Sequence, residues 1–312
     1  MLEKRMMCPL CGGSDTSVLY HIPYDAKPMQ TFLMRFYGIG PEQTEPLSGS
    51  EYELRRCKAC GLVYQTLAPV GELARDIYER WTETGSSAAR GKSRSTLRPF
   101  ARYVEQICTG LNELGLQPER ACLLDVGMGW GAWCLVAQGM GCTVAGLELA
   151  ENRLDSAHSR GIATVRWEDL KPDSYDFVNA EQVFEHLPNP SASMRCISSA
   201  LRLHGVLRIA VPDGRRVEGL LSHLDWSITG PSDGRFMVVH PLEHVNCFTE
   251  RTLDHLARTG GLVPMSPRLR NTVLVMENGR PQTLLRGVAR SIRRGVMVWT
   301  GERWYRKAYG AS

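Results

Sequence analysis

The apolar positions of the chain follow two rhythms. Over 95–116, Leu97, Phe100, Val104, Ile107, Leu111 and Leu114 recur at spacings of three and four. That period lays one apolar stripe along a helix and predicts that the stripe packs on a core. From 121 onward, short apolar runs alternate with helical stretches. Strands are expected at 121–126, 142–148, 162–166, 175–180 and 204–211, and helices at 131–140, 150–160 and 190–203. Strand, helix, strand with short links implies right-handed crossovers, hence an α/β fold with a doubly wound, mostly parallel sheet. A further helix is expected at 249–260, and "NTVLVME" (271–277) reads as a late strand.

Outside that region the pattern is weaker. Residues 1–66 hold paired cysteines and few helical patterns, 69–81 reads as a short helix, and "TETGSSAARGKS" (82–93) as a linker. Near the end, Leu285, Val288, Ile292, Val296 and Trp299 share one helical face, with Arg286, Arg290, Arg293 and Arg294 on the other. The expected division is a zinc-binding module at 1–66, a helix and linker at 67–94, the α/β domain at 95–278 and a basic amphipathic helical tail at 279–312. Such a tail either packs on its own domain or contacts an anionic membrane surface peripherally.

Composition adjusts this picture in three places. The uncharged run 126–147 is long enough to span a bilayer, but its six glycines favour a strand, tight loop, helix and strand. No basic, apolar N-terminal segment suggests a signal peptide. Ten cysteines then point to a reducing cytoplasm and to metal binding over disulfides. From Arg280 onward there are eight Arg or Lys and one acid, a charge of +7, so a net charge of +4 leaves 1–279 at −3. The main body is therefore not a general nucleic-acid binder, and no DNA partner is expected.

"CPLCGG" supplies Cys8 and Cys11, and "CKACG" supplies Cys57 and Cys60. Two C-x-x-C-G knuckles make a tetrahedral thiolate site whose usual occupant is zinc. The glycines permit the positive φ that aims backbone amides at sulfur. Four thiolates close the coordination shell, so the zinc is expected to be structural. The 45 residues between the pairs, "MQTFLMRFYGIG" among them, are expected to loop out. The other six cysteines lie in apolar patterns and read mostly as small buried hydrophobes.

The loop "DVGMGWGAW" (125–133) follows the first apolar run. Its glycines fit both the dinucleotide pattern G-x-G-x-x-G/A and the D-x-G-x-G-x-G loop of S-adenosylmethionine (SAM) enzymes. Glu148, 17 residues past Gly131, can accept both ribose hydroxyls in either case. Three later stretches decide between them: "SYDFVNAEQVFEHLPNP", "HGVLRIAVPDG" and "HPLEHVNCFTERTLDHLARTGGL". Over about 95–277 the chain resembles the class I SAM-dependent methyltransferases, which share an Asp in the fourth strand (here Asp176), an E-H-L exit and a late E-H-x-x-x-F-T. The paired-cysteine module resembles the zinc-binding N-terminus of a bacterial subgroup that methylates sugars and other small metabolites. The whole then reads as a Rossmann-like methyltransferase sheet behind a small zinc-ribbon-like module.

The resemblance implies roles. Asp125 helps position the methionine ammonium, directly or through the loop. Gly127, Gly129 and Gly131 let the chain pass close to methionine and ribose. Glu148 binds the ribose diol, Leu149 covers the adenine, and Asp169 or Glu168 meets the adenine amine. Methyl transfer to an alcohol also needs a group to remove a proton. His244 is the expected base, oriented by Glu243 or else by His240 or Asp225, with His186 or His223 as the alternative base. In the zinc-bearing sugar C-methyltransferases the late motif is Y-H-E-H. Here Pro241 replaces the Tyr, which brings O-methylation level with C-methylation. An RNA methyltransferase and a non-catalytic binding protein on this fold are the alternatives.

Overall fold

In a computed structural model, residues 1–81, 98–229, 234–266, 274–277, 280–283 and 302–308 are described. No described helix is long and apolar enough to cross a membrane. The chain divides into two compact units that interleave along the sequence. The first comprises Met1–Arg94, Phe184–Pro190 and Pro212–His255, and the second Ser95–Val183, Ser191–Val211 and Leu256–Ser312. The expected boundaries ran linearly, whereas the first unit takes two segments from the middle of the α/β stretch.

The second unit is built on seven strands: β1 (Cys122–Val126), β2 (Thr143–Leu147), β3 (Ala163–Thr164), β4 (Tyr175–Glu181), β5 (Leu201–Ala210), β6 (Leu262–Met265) and β7 (Arg303–Lys307). Their order across the sheet is β6-β7-β5-β4-β1-β2-β3. β1 to β5 pair in parallel, and β7 runs antiparallel between β5 and β6. The first five strands and the helices Ala132–Gly139, Glu151–Ser159 and Pro190–Ala200 fall where the apolar rhythm places them. The helix Arg98–Leu114 buries Ile107 and Leu111. It lies so close to β4 that a Cβ on Gly110 would sit 2.7 Å from the Phe177 ring. Phe177 also meets Trp133 edge-on and stacks on Trp304 at 5.6 Å between centroids.

Two expectations for the late chain change here. Leu274–Glu277 pairs with Arg280–Thr283 in a two-stranded hairpin outside the main sheet. The antiparallel strand of the sheet is instead β7, which buries Trp304 and Tyr305. Its sequence, "RWYRK", is too short and too charged to carry a readable two-residue period. The expected tail helix (285–299) lies outside the described residues, as does the linker at 82–93.

In the first unit, strands Thr16–Pro23, Glu51–Cys57, Val63–Gln65 and Asn246–Cys247 form one antiparallel sheet. The segment expected to loop out between the cysteine pairs is largely the helix Lys27–Tyr37. Pro28 sits in its first turn, and Gly38 ends it at φ 67. Its Met29, Phe32, Leu33, Phe36 and Tyr37 are buried, at the three-and-four spacing that one helix face requires. They pack with Tyr24 and Tyr52 and with Trp226, Val239 and Leu242 from the later segment. The Phe32–Trp226 centroid distance is 4.7 Å. That shared apolar core explains why 212–255 belongs to this unit.

Candidate active site

The glycine loop turns at the end of β1. Gly127, Gly129 and Gly131 have φ of 67°, 53° and 74°, values that strain residues with a Cβ. Two of them are also confined: a Cβ at Gly127 would lie 2.7 Å from Val183 Cγ2, and one at Gly131 2.5 Å from Ile162 Cδ1. Gly129 faces open space, with nothing within 4 Å of where a Cβ would be. The amides of Gly127 and Met128 donate to the Leu147 carbonyl at 2.7 and 3.0 Å, which folds the loop onto the end of β2. Glu148, the next residue, accepts from the Gly129 amide at 3.0 Å and from the Leu149 and Ala150 amides at 2.8 and 3.1 Å. Leu149 is 69% exposed.

Asp125 is buried beneath the loop and accepts from Asn179 Nδ2 at 2.7 Å. Asn179 in turn accepts from Arg208 at 2.6 Å, and Arg208, fully buried, also pairs with Glu181 at 3.0 Å and with Glu302. Burial pushes the Asp125 carboxyl up to about 7, against the Asn179 hydrogen bond that pulls it down. Asp169 and Glu168 sit on an exposed turn after β3. The described hydrogen bonds join neither side chain to the loop.

The first unit holds a second constellation. His186 and His244 stack edge to face with centroids 4.8 Å apart, and His240 lies 6.3 Å from His244. His186 Nδ1 is 2.9 Å from the Glu243 carbonyl, so Nδ1–H donates and Nε2 keeps its lone pair, 3.9 Å from Glu185 Oε1. The Glu243 carboxylate accepts from the Tyr37 hydroxyl at 2.7 Å. Burial lowers all three imidazoles: His186 below its ordinary value, His240 to about 3 and His244 well below 6.5. They are neutral at pH 7, with lone pairs to offer.

The loops carrying these groups are tied together by buried polar side chains. Gln65 Nε2 donates to the His240 and His244 carbonyls at 2.8 and 3.0 Å. Arg5 donates to Asn246 Oδ1 at 2.8 Å and to the Val245 and Pro188 carbonyls. Asn246 Nδ2 reaches back to the Phe184 and Leu187 carbonyls at 3.0 and 2.8 Å.

Comparison with known families decides what the sheet and loop belong to. The family model described as "Methyltransferase domain" matches residues 100–266, more than half of the 312-residue chain. The chain belongs to the methyltransferase-domain family. It has the mostly parallel sheet with flanking helices of the methyltransferase fold. Solved structures similar to this methyltransferase include a SAM-dependent methyltransferase from Mesorhizobium loti (17% identity, 63% of this chain and 95% of that one, TM-score 0.42). A second is the 1,6-didemethyltoxoflavin-N1-methyltransferase of Burkholderia thailandensis with its ligand and S-adenosylhomocysteine bound (17%, 81% and 98%, 0.44). A third is the magnesium protoporphyrin IX methyltransferase of Synechocystis PCC 6803 (13%, 76% and 99%, 0.45). No curated protein sequence matches the chain.

Within the methyltransferase, the structure brings together Asp125, the three glycines, Glu148 and Leu149 in one unit, and His186, Glu243 and His244 in the other. Glu243 contacts His186 through its backbone carbonyl, while its carboxylate turns to Tyr37. Asp225 accepts from Ser227, which caps its own turn. Sequence reasoning missed Tyr37, Arg5, Gln65 and Asn246, which hold the histidine loops. The one available signal was the three-and-four spacing of "MQTFLMRFY", which places Tyr37 on a buried helix face.

The four knuckle cysteines also converge. Cys8 and Cys60 sulfurs lie 3.5 Å apart, as do those of Cys11 and Cys57, and all four sulfurs fall within 4.8 Å of one another. A tetrahedron with zinc–sulfur bonds of ~2.3 Å has edges of about 3.8 Å, so the set fits. Gly12 and Gly61 take φ of 74° and 86°, closing the two turns. The Cys60 sulfur within hydrogen-bond reach draws the Cys8 thiol below its ordinary value. Of the other cysteines, Cys196 is exposed, an exception to the expectation of burial.

Proposed function

We propose that the chain transfers the methyl group of SAM to a hydroxyl or carbon of a sugar or related small metabolite in the cytoplasm. The observation that carries this reading is the loop at Gly129. The backbone there is open to close approach, and the Glu148 carboxylate stands at its amide. In this assignment Glu148 takes the ribose diol, Leu149 covers the adenine, and Asp169 meets its amine. Asp125 acts on the methionine end through the loop, since its own carboxylate is engaged by Asn179.

The cofactor supplies the electrophilic methyl group when bound. The protein has to align the acceptor and remove its proton. We assign that second task to His244 with His186 and Glu243. The four cysteines hold a structural zinc. Calorimetry with SAM and with NAD, on wild type and Glu148→Ala, tests the reading. SAM should bind and the variant should bind it about 1–3 kcal/mol more weakly, the cost of losing a buried charged partner. NAD binding without SAM binding would overturn it. Transfer of labelled methyl groups to a panel of sugars and small alcohols then identifies the acceptor.

A further inference from the structure

We propose that Glu185, His186 and His244 form a second metal site, distinct from the four cysteines, that binds a divalent transition-metal cation. One coordinating atom from each of the three lies within 4.8 Å of the others. Ligands held at ~2.0–2.2 Å from a metal sit about 3–3.5 Å apart, so small side-chain rotations draw this set onto an ion.

Three observations single the cluster out. The first is the fixed tautomer of His186. Its Nδ1–H donates to the Glu243 carbonyl, which aims the Nε2 lone pair towards Glu185. A metal-bound histidine is oriented in this way, by giving its other ring N–H to a carbonyl or carboxylate. The second is His244 Nδ1, buried without a hydrogen-bond partner in a residue 4% exposed. Buried polar nitrogens are nearly always satisfied, and a cation would satisfy this one. The third is the donor chemistry: the Glu185 carboxylate, 1% exposed, is held 3.9 Å from His186 Nε2, so an oxygen ligand stands beside the two ring nitrogens.

The donor set also separates this site from the cysteines. Two imidazoles and one carboxylate suit zinc, iron, cobalt or nickel and leave coordination positions open, whereas four thiolates leave none. The inference deepens the proposed function and rests on it for its chemical role. With a cation bound, His244 would serve proton removal as a ligand and not as the base: an acceptor hydroxyl on an open position would have its pKa lowered by the cation, and its proton could then leave to solvent without a strong base.

The test uses the full chain, stripped by chelator and titrated with Co2+ alone. Cobalt bound by thiolates gives intense sulfur-to-metal charge-transfer bands, and cobalt bound by nitrogen and oxygen gives only weak visible bands. We expect about two equivalents per chain, one of each type. His244→Asn and Glu185→Gln should each lose the nitrogen–oxygen signal and keep the thiolate one, and Cys57→Ser should do the reverse. One equivalent in the wild type, with thiolate bands only, overturns the proposal, and that measurement does not depend on any variant folding. SAM calorimetry on the same stripped protein separates the two readings. SAM binding with no second metal leaves methyl transfer standing and removes this site. A second metal without SAM binding does the opposite.

Discussion

Replacing Asp125 with Asn should make the protein's stability less sensitive to pH. The folded carboxyl titrates near 7 because it is buried, against 3.8 for a free aspartate. A carboxyl raised in the folded state favours folding fully below its unfolded pKa, and that contribution is lost as pH rises towards the folded value. Between pH 5 and pH 8 the unfolded chain has little proton left to lose, while the folded chain gives one up over about two units. At 1.36 kcal/mol per unit this removes about 3 kcal/mol from the wild type. An asparagine has no such dependence and keeps an oxygen to accept from Asn179. Urea unfolding of both proteins at pH 5 and pH 8, compared by linear extrapolation, measures the difference. The variant's stability relative to wild type should rise by about 3 kcal/mol across that interval. A difference that stays constant or shrinks would show that Asp125 is already ionised at pH 5 and refute the account. The same variant should bind SAM less tightly above pH 7, where the wild-type carboxyl has ionised, and about as tightly at pH 5.

Gly129→Val should abolish detectable SAM binding in calorimetry while lowering stability by only ~1–2 kcal/mol, the cost of a left-handed backbone at a position with free space. Gly127→Val should destabilise more, since its side chain also meets Val183, and thermal melts of the pair will show the order. Cys57→Ser should release the bound zinc, read by metal analysis, and lower the melting temperature; a metal-free protein of unchanged stability contradicts the structural role. His244→Asn should leave SAM affinity intact and cut turnover by about 10²–10⁴, and a variant within threefold of wild type would clear His244 of any part in proton removal. If the basic tail docks on membranes, the protein should sediment with anionic vesicles at low salt and not at high salt.

The parallel core of the sheet was legible because its strands are buried on both faces and spell continuous apolar runs such as "ACLLDV". The glycine loop and Glu148 were legible for a related reason, since the turn chemistry and the spacing are local. Three features were not. The Lys27–Tyr37 helix carries a helical spacing but reads as a looped-out insertion until its partners Trp226 and Leu242 are known, and these come from a distant part of the chain. β7 has a charged, five-residue sequence whose place depends on pairing with β5 and β6. The histidine cluster was visible as separate candidates, but its geometry is set by Arg5, Gln65 and Asn246, whose bonds run between segments with no shared pattern.

The position of β7 has a consequence for how the protein can be made. β6 is translated before β7 but among the described strands pairs only with it, and β5 waits with one edge open. During synthesis, Val206, Leu207 and Ile209 therefore stand on a bare strand edge until residues 303–307 leave the ribosome. An unpaired apolar edge recruits other strands, including those of neighbouring nascent chains. A gene shortened by a nonsense codon just before Arg303 would thus yield chains trapped in that aggregation-prone state, with their glycine loop already encoded but their sheet still open.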